Sequence, residues 1–197
     1  MLVHGAGSGP WVFDSWTAPE GVELVAVDLH EGVDVGAASM DEYAAVVRRA
    51  CATARPPVAL CGWSMGGLVA MMAADAPGVE ALVLLEPSPP AEVQGTSDVP
   101  DADGTFDPEE VYGEFPPGMR ARPESHRARA DRKRGISVLR LPRRLLVVYG
   151  DEFAEDRGRA LARFYEIPEA YFPGIDHWGL VLDERVRATV LEFVTGG

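Results

Sequence analysis

Cysteine, basic residues and long apolar runs are all scarce in this chain. Only two cysteines occur among 197 residues, and Cys61 lies within an apolar run, so the sequence predicts buried reduced thiols rather than a disulfide framework. No apolar stretch reaches the roughly 18 to 20 residues that span a bilayer, so we expect no membrane segment. The N-terminus lacks a basic region followed by an apolar one, so we expect no secretory signal and a cytoplasmic protein.

The charge balance is strongly acidic. The 18 basic and 31 acidic residues give a formal net charge of -13, which argues against nucleic-acid partners because phosphate backbones attract basic surfaces. The exception is the stretch 119–144, where ten basic residues stand against two acidic ones. The sequence also lacks the Cys/His spacing of a metal site and the Gly-x-Gly-x-x-Gly loop of a nucleotide site, so we expect no metal and no cofactor.

Short apolar runs rich in Val and Leu alternate with helical patterns along most of the chain. We predict strands at 2–4, 22–29, 58–61, 81–86, 145–149 and 170–172. We predict helices at 39–54, 65–76, 153–165 and 184–194. Such alternation is typical of a parallel sheet that is buried on both faces. The predicted fold class is therefore α/β, with a mostly parallel central sheet of about six strands and helices on both faces.

The alternation stops between Pro87 and Pro142. This stretch is rich in Pro, Gly and charged residues, and it is too long for a structureless loop in a compact domain. We therefore predict that residues 88–142 form a short helical lid, whose clearest helix covers 123–134. The lid is expected to be an insertion within a single domain that comprises residues 1–197.

A serine stands between glycines where an apolar strand gives way to a small-residue helix. The segment "GWSMGG" begins at Gly62 and contains Gly-x-Ser-x-Gly, with Ser64 at its centre. This spacing is typical of a sharp strand-to-helix turn that presents the serine, because the crowded turn needs neighbours without side chains. Ser64 is therefore the candidate nucleophile. The N–H of Met65, at the start of the helix, is a candidate donor to a negatively charged substrate oxygen.

Two further motifs fit a nucleophilic serine. In "VHGAGSGPW" the chain turns after the first strand, so the N–H of Ala6 is the candidate second oxyanion donor. In "FPGIDHWGLV" His177 follows the last strand and is the candidate general base, because it comes after the candidate acids in the chain. Trp63 and Trp178 flank these motifs and are candidates for an apolar substrate pocket.

With "HGAG", "GWSMGG" and "DHWG" in this order, the chain resembles the α/β-hydrolase superfamily over most of its length. The loop "HGAGSGPWVFDSW" resembles that of plant methylesterases and hydroxynitrile lyases. The lyases typically have threonine where Gly5 stands and lysine where Trp178 stands, which argues against the lyase branch. The chain starts at what corresponds to the family's third strand, so the resemblance implies an α/β-hydrolase fold that lacks the first two strands.

The carboxylate that would complete a Ser-His-acid triad has two candidates. In the family the acid usually stands three residues after the glycine that ends "RLLVVYG", and Phe153 occupies that position here. Asp151 lies nearby and is one candidate. The resemblance also implies a second location, at the end of the preceding strand, where Glu86 stands. A buried carboxylate needs a partner, and His177 would supply one, so Glu86 is ranked first and Asp151 is the alternative.

These residues predict a serine hydrolase for a small carboxylic ester or thioester, acting through an acyl-enzyme. One alternative is an acyl transferase or cyclase of a biosynthetic pathway, which would use the same residues with another nucleophile. A second is a catalytically silent hydrolase-like binding protein, since the acid is displaced. As a further hypothesis, the lid arginines Arg120, Arg122 and Arg127 attract an anionic substrate; alternatively they belong to a solvated helix.

Overall fold

The computed structural model describes residues 1–196, and a six-stranded parallel sheet lies at its centre. The strands in chain order are β1 (Leu2–Val3), β2 (Ala26–Val27), β3 (Val58–Trp63), β4 (Val79–Leu85), β5 (Thr105–Phe106), β6 (Glu124–Ser125), β7 (Arg144–Tyr149) and β8 (Glu169–Tyr171). The sheet order is β2-β1-β3-β4-β7-β8, and every pairing within it is parallel. The predicted α/β fold with a mostly parallel sheet is confirmed.

Helices connect most of these strands. They are α1 (Met40–Thr53), α2 (Met65–Met72), α3 (Ala91–Gln94), α4 (Pro108–Tyr112), α5 (His126–Arg134), α6 (Ala160–Tyr165), α7 (Gly179–Leu182) and α8 (Glu184–Thr195). A 3-10 helix covers Pro10–Phe13 and a π-helix covers Ala154–Arg159. Within residues 1–196, none of the helices combines the length and the apolar character needed to cross a membrane.

The sheet separates two apolar cores. On one face, α1 and α2 bury side chains such as Tyr43 and Leu68 against the strands. On the other face, α8 and the 3-10 helix bury Val186, Val190 and Phe13. Burial of this apolar surface, at about 25 cal/mol per Å², provides most of the favourable free energy of folding. Because helices cover both faces, substrates reach a sheet of this kind at the carboxyl ends of its strands.

Several predicted elements have different ends in the structure. The predicted strand 22–29 pairs only over Ala26–Val27, and the predicted helix 65–76 ends at Met72. The predicted helix 153–165 is divided into the π-helix and α6, because the N–H of Gly158 donates to the carbonyl of Phe153, five residues earlier. The glycine in this wider turn packs against Tyr149, since an added Cβ would lie 2.3 Å from the tyrosine ring.

The segment 88–142 lies between β4 and β7 in the chain and contains α3, α4, α5 and a two-stranded antiparallel sheet. In that sheet β5 pairs with β6, so that Phe106 lies opposite Glu124. The helix predicted at 123–134 begins later, at His126, because Glu124–Ser125 is used as a strand. The Ser125 hydroxyl then caps α5 by accepting the N–H of Ala128 at 3.1 Å.

Candidate active site

Ser64 lies in a strained turn between β3 and α2. Its φ of 55° and ψ of -124° place a residue with a side chain in the left-handed half of the backbone map, which costs about 1–3 kcal/mol. The turn is possible only with glycine on either side. An added Cβ would lie 2.3 Å from the Gly66 carbonyl oxygen if placed on Gly62, and 2.3 Å from the His4 carbonyl oxygen if placed on Gly66. The sequence thus forms the turn predicted for a nucleophile.

The loop after β1 passes directly beside Ser64. An added Cβ on Gly5 would lie 3.1 Å from Cβ of Ser64 and 2.8 Å from a ring carbon of Trp63, so a side chain here would require its neighbours to shift. The next residue is Ala6, and Met65 begins α2 on the other side of the serine. Within residues 1–196, neither the N–H of Ala6 nor that of Met65 donates to a protein acceptor. Both N–H groups are therefore available to a bound oxygen.

Glu86 and His177 form a buried pair at the end of β4. The Glu86 carboxylate is fully buried, and its Oε2 lies 2.7 Å from Nδ1 of His177. Its Oε1 accepts the N–H of Gly150 at 2.8 Å. Because the carboxylate accepts at Nδ1, the hydrogen of the neutral imidazole lies on that nitrogen and Nε2 is left basic.

The main chain of His177 is held from two sides. Its N–H donates to Oε2 of Glu152 at 3.1 Å, and its carbonyl accepts Nε1–H of Trp63 at 3.0 Å. The rings of Phe153 and His177 meet edge to face, with their centroids 5.1 Å apart. In the part of the chain that the structure describes, no hydrogen bond joins Oγ of Ser64 to His177. Such bonds are often long before substrate binds.

The alternative acid, Asp151, is directed elsewhere. Its Oδ1 accepts the hydroxyl of Tyr171 at 2.5 Å, and its Oδ2 accepts the N–H of Gly174 at 2.9 Å. These two hydrogen bonds, the tyrosine's first, hold the pKa of Asp151 below its usual value. The carboxylate therefore fastens the loop after β8, and the structure does not bring it to His177. This corrects the hypothesis that Asp151 is the acid.

The two candidate substrate-binding tryptophans have different surroundings. Trp63 is only 3% exposed and belongs to the apolar core, so its indole packs against the His177 ring, with centroids 5.0 Å apart, and supports it. Its role in substrate binding stays a prediction. Trp178 is partly exposed, and its ring centroid lies 4.8 Å from that of Trp63 and 4.7 Å from that of Phe115 in the segment 88–142. Trp178 therefore lies between Trp63 and that segment.

The three arginines predicted to attract an anionic substrate have other partners. Arg122 donates to both carboxylate oxygens of Asp28, at 2.6 and 3.1 Å. The guanidinium carbon of Arg120 lies 4.6 Å from the ring centroid of Trp11, and Arg127 reaches the carbonyl of Ala37 at 3.4 Å. Within residues 1–196, no hydrogen bond or ion pair joins these three arginines to Ser64 or His177.

The segment 88–142 instead fastens the loop beside Ser64. The buried carboxylate of Glu124 accepts the N–H of Gly7 at 2.9 Å and the hydroxyl of Tyr43 at 2.5 Å. Burial alone would raise the pKa of Glu124. Contacts with the side chains of His30 and Tyr43 and hydrogen bonds from two main-chain N–H groups outweigh this effect and lower the pKa to about 2. The N–H groups are those of Gly7 and Ser125. A buried charge on β6 thus positions the loop that carries Ala6.

Sequence reasoning missed Arg132 and Arg157, which lie close to the catalytic candidates. Arg132 donates to Oγ of Ser88 at 3.3 Å, and the N–H of Ser88 donates to the carbonyl of Ser64 at 2.8 Å. The guanidinium carbon of Arg157 lies 3.8 Å from the ring centroid of Phe153. The basic stretch 119–144 was a sequence signal for Arg132, but it did not show which of its arginines lies beside Ser88, and Arg157 lies outside it.

No other feature competes with this site. A large cavity lies at the amino ends of the strands, lined by residues such as Leu24, Pro57 and Val190, whereas Ser64 lies beyond the carboxyl end of β3. Within residues 1–196, no cluster of three or more His, Cys, Asp or Glu side chains is arranged to hold a metal ion. Ser64, His177 and Glu86 therefore stay the candidate catalytic residues.

Comparison with solved structures gives several matches over nearly the whole chain. Polyneuridine aldehyde esterase matches with a TM-score of 0.65 and 14% identity, over 98% of this chain and 97% of that one. The methylesterase MES16 from Arabidopsis matches with a TM-score of 0.63 and 19% identity, over 100% of this chain and 98% of that one. The type II thioesterase BorB of the borrelidin biosynthetic cluster matches with a TM-score of 0.63 and 18% identity, over 98% of this chain and 89% of that one.

These identities, all below 20%, show a shared fold and leave activity to be argued from the site. No curated protein matches the sequence significantly. A family model described as the alpha/beta hydrolase family matches residues 1–193. The match covers the sheet, the serine turn and the pair of Glu86 with His177. The chain therefore belongs to the alpha/beta hydrolase family.

Proposed function

We propose that this protein is a serine hydrolase that cleaves a small carboxylic ester or thioester. The observation that carries the proposal is the 2.7 Å contact between the buried Glu86 carboxylate and Nδ1 of His177, beside a serine with a φ of 55°. A carboxylate in this position orients the imidazole and stabilises its protonated form during the reaction. Ser64, His177 and Glu86 are then nucleophile, general base and acid.

In the first half of the reaction, Nε2 of His177 takes the hydroxyl proton of Ser64 as Oγ attacks the substrate carbonyl carbon. The resulting oxyanion accepts hydrogen bonds from the N–H groups of Ala6 and Met65. The imidazolium then gives its proton to the leaving alcohol or thiol as the carbonyl carbon's bond to that group breaks. An acyl group remains on Ser64.

In the second half, His177 takes a proton from water as the water oxygen attacks the acyl-enzyme. The tetrahedral intermediate collapses, and Ser64 regains its proton from the imidazolium. The acid product leaves. If an alcohol, thiol or amine replaced water, the same steps would transfer or cyclise the acyl group. Analysis of the products for a compound other than the free acid distinguishes transfer from hydrolysis.

The similar structures support a small-molecule substrate, since they include esterases, a methylesterase and a thioesterase. We further propose that the segment 88–142 covers the site as a lid within one domain. The contact between Phe115 of this segment and Trp178, which adjoins His177, supports that role. Substrate size would then be limited by the space between the segment and Trp178.

Steady-state hydrolysis of p-nitrophenyl butyrate and of a short acyl thioester tests the proposal. We expect Ser64→Ala to lower kcat/KM by at least about 10³-fold, because no nucleophile remains. Ser15→Ala is the control and should retain the wild-type kcat/KM, since Ser15 is an exposed serine with no role in the proposed steps. Wild-type rates in Ser64→Ala would exclude Ser64 as the nucleophile. Failure of the wild-type protein to hydrolyse any ester or thioester tried would favour the binding-protein alternative.

A further inference from the structure

Arg132, on α5, lies beside Ser88 and has no carboxylate partner within residues 1–196. Its Nη1 donates to Oγ of Ser88 at 3.3 Å, and its Nη2 donates to the hydroxyl of Tyr112 at 3.0 Å. Its Nε is buried and has no hydrogen-bond partner. Ser88 is itself bonded to the carbonyl of Ser64. Ser88 therefore links the guanidinium of Arg132 to the main chain of Ser64. Within residues 1–196, the hydrogen-bond partners of this guanidinium are the neutral hydroxyls of Ser88 and Tyr112.

Arg157, on the π-helix, approaches the site from the other side. Its guanidinium carbon lies 3.8 Å from the ring centroid of Phe153, whose ring edge meets His177. Within residues 1–196, no hydrogen bond or ion pair satisfies the guanidinium of Arg157. The two nearby carboxylates both accept hydrogen bonds from His177. Glu86 accepts from the ring, and Glu152 accepts from the main-chain N–H.

The contacts lead from both arginines to the catalytic candidates, from Arg132 through Ser88 to Ser64 and from Arg157 through Phe153 to His177. Burial lowers the pKa of Arg157 below its usual value, and repulsion by the charge of Arg132 lowers it further. Glu86 and Glu152 act in the opposite direction but less strongly. Two partly desolvated cations without a shared anion are unfavourable, and a bound oxyanion would relieve the repulsion while accepting hydrogen bonds from both guanidinium groups.

We propose that Arg132 and Arg157 form a subsite for a carboxylate or phosphate group that the substrate carries. The inference rests on the proposed function, because the subsite is placed by contacts with Ser88 and Phe153, which adjoin Ser64 and His177. It narrows the proposed substrate from a small ester or thioester to one with an anionic oxygen group in its acyl or leaving part. In a chain with a net charge of -13, two cations beside the site favour a substrate with such a group.

The test compares anionic and neutral substrates of matched shape. On the acyl side, mono-p-nitrophenyl adipate is compared with its methyl ester. On the leaving-group side, hexanoyl-coenzyme A is compared with the hexanoyl thioester of N-acetylcysteamine. Each pair is assayed with the wild-type protein and with Arg132→Gln and Arg157→Gln. A selective effect on the first pair identifies a carboxylate on the acyl group, and one on the second pair identifies a phosphate on the leaving group.

We expect each variant to lower kcat/KM for the anionic member of at least one pair by about tenfold or more, which is the effect of losing a charge-assisted hydrogen bond. The neutral members are expected to change by less than about twofold. Arg127→Gln on α5 and Arg159→Gln on the π-helix are matched controls. Arg127 contacts only a carbonyl and Arg159 pairs with Glu155, so neither variant should discriminate between the members of a pair.

Equal losses for anionic and neutral substrates, no losses, or a loss confined to one of the two arginines would overturn the subsite. Calorimetric titration of Ser64→Ala with monomethyl adipate and with coenzyme A tests it without turnover. Failure of both to bind would also overturn it. Failure of the proposed function has a different signature, because the neutral substrates would then be hydrolysed equally well by Ser64→Ala and the wild-type protein.

Discussion

Glu86 combines two features that each cost free energy, a φ of 39° and a carboxylate with no exposed surface. A non-glycine residue with such a φ costs about 1–3 kcal/mol, and a buried carboxylate is tolerated only with hydrogen-bond partners. Here the partners are Nδ1 of His177 and the N–H of Gly150. The strained backbone aims the carboxylate at the imidazole, as expected of a residue that orients a general base.

At this position Glu86→Gln is expected to lower kcat/KM for an ester by roughly 10² to 10⁴-fold, because an amide no longer stabilises the imidazolium and permits the wrong tautomer. The fold should be retained, since Gln has nearly the same shape. Steady-state kinetics measures kcat/KM, and circular dichroism shows whether the fold is retained. Asp151→Asn is the matched control and should retain at least about half the wild-type kcat/KM, because the structure shows no contact with His177. Wild-type activity in Glu86→Gln would contradict the assignment.

Among the structural elements, β6 links the segment 88–142 to the loop beside Ser64. The Glu124 carboxylate on β6 accepts the N–H groups of Gly7 and Ser125 and the hydroxyl of Tyr43. Arg122, just before β6, donates through its Nε to the carbonyl of Ser8 at 2.6 Å. The loop that carries Ala6 is therefore positioned by charged residues more than a hundred positions away in the chain.

The low pKa of Glu124 makes this link sensitive to acid. The folded-state pKa is about 2 and the usual value is 4.5, so between these pH values the unfolded chain binds more protons than the folded one. Stability from this group is present above pH 4.5 and is lost as the pH falls toward 2. From pH 5 to pH 3, it should account for a loss of about 2 kcal/mol.

Urea unfolding of the wild type and Glu124→Gln at pH 5 and pH 3 measures this contribution. Between the two pH values, the free energy of unfolding should fall by about 2 kcal/mol more for the wild type than for Glu124→Gln. Glu114→Gln removes an exposed carboxylate of the same segment and serves as the control that should follow the wild type. An identical pH dependence in all three proteins would show that Glu124 is not held in its charged form.

The elements differ in how far the sequence predicted them. The apolar runs and the Gly-x-Ser-x-Gly spacing predicted the central strands and the turn at Ser64, because local pattern and local sterics determine both. The sequence did not distinguish the arginines, since Arg122 and Arg132 are alike in sequence and differ only in what the folded chain places beside them. For the same reason the sequence left Glu86 and Asp151 open, although only Glu86 contacts His177.

In the molecule as a whole, charged and polar contacts join the segment 88–142 to the sheet and its helices. Arg122 pairs with Asp28 beyond β2, and Asp131 of α5 accepts the N–H of Met40 at the start of α1 at 3.0 Å. The apolar core on the α1 face also includes Ala128 and Val138 of the segment. These contacts are spread along the segment, so it should not unfold by itself.

We therefore expect a single unfolding transition for residues 1–197. All four tryptophans lie outside the segment 88–142, whereas circular dichroism also detects α5. Urea titrations followed by tryptophan fluorescence and by circular dichroism should have the same midpoint, as in two-state unfolding. Different midpoints for the two signals would show that the segment unfolds as an independent unit.

The account depends most on an activated Ser64. The most direct measurement is the intact mass of the protein after incubation with a fluorophosphonate, which reacts with the oxygen of an activated serine. We predict one adduct on the wild-type protein, none on Ser64→Ala and slower labelling of Glu86→Gln. An unmodified wild-type protein, or an adduct that persists in Ser64→Ala, would contradict the account.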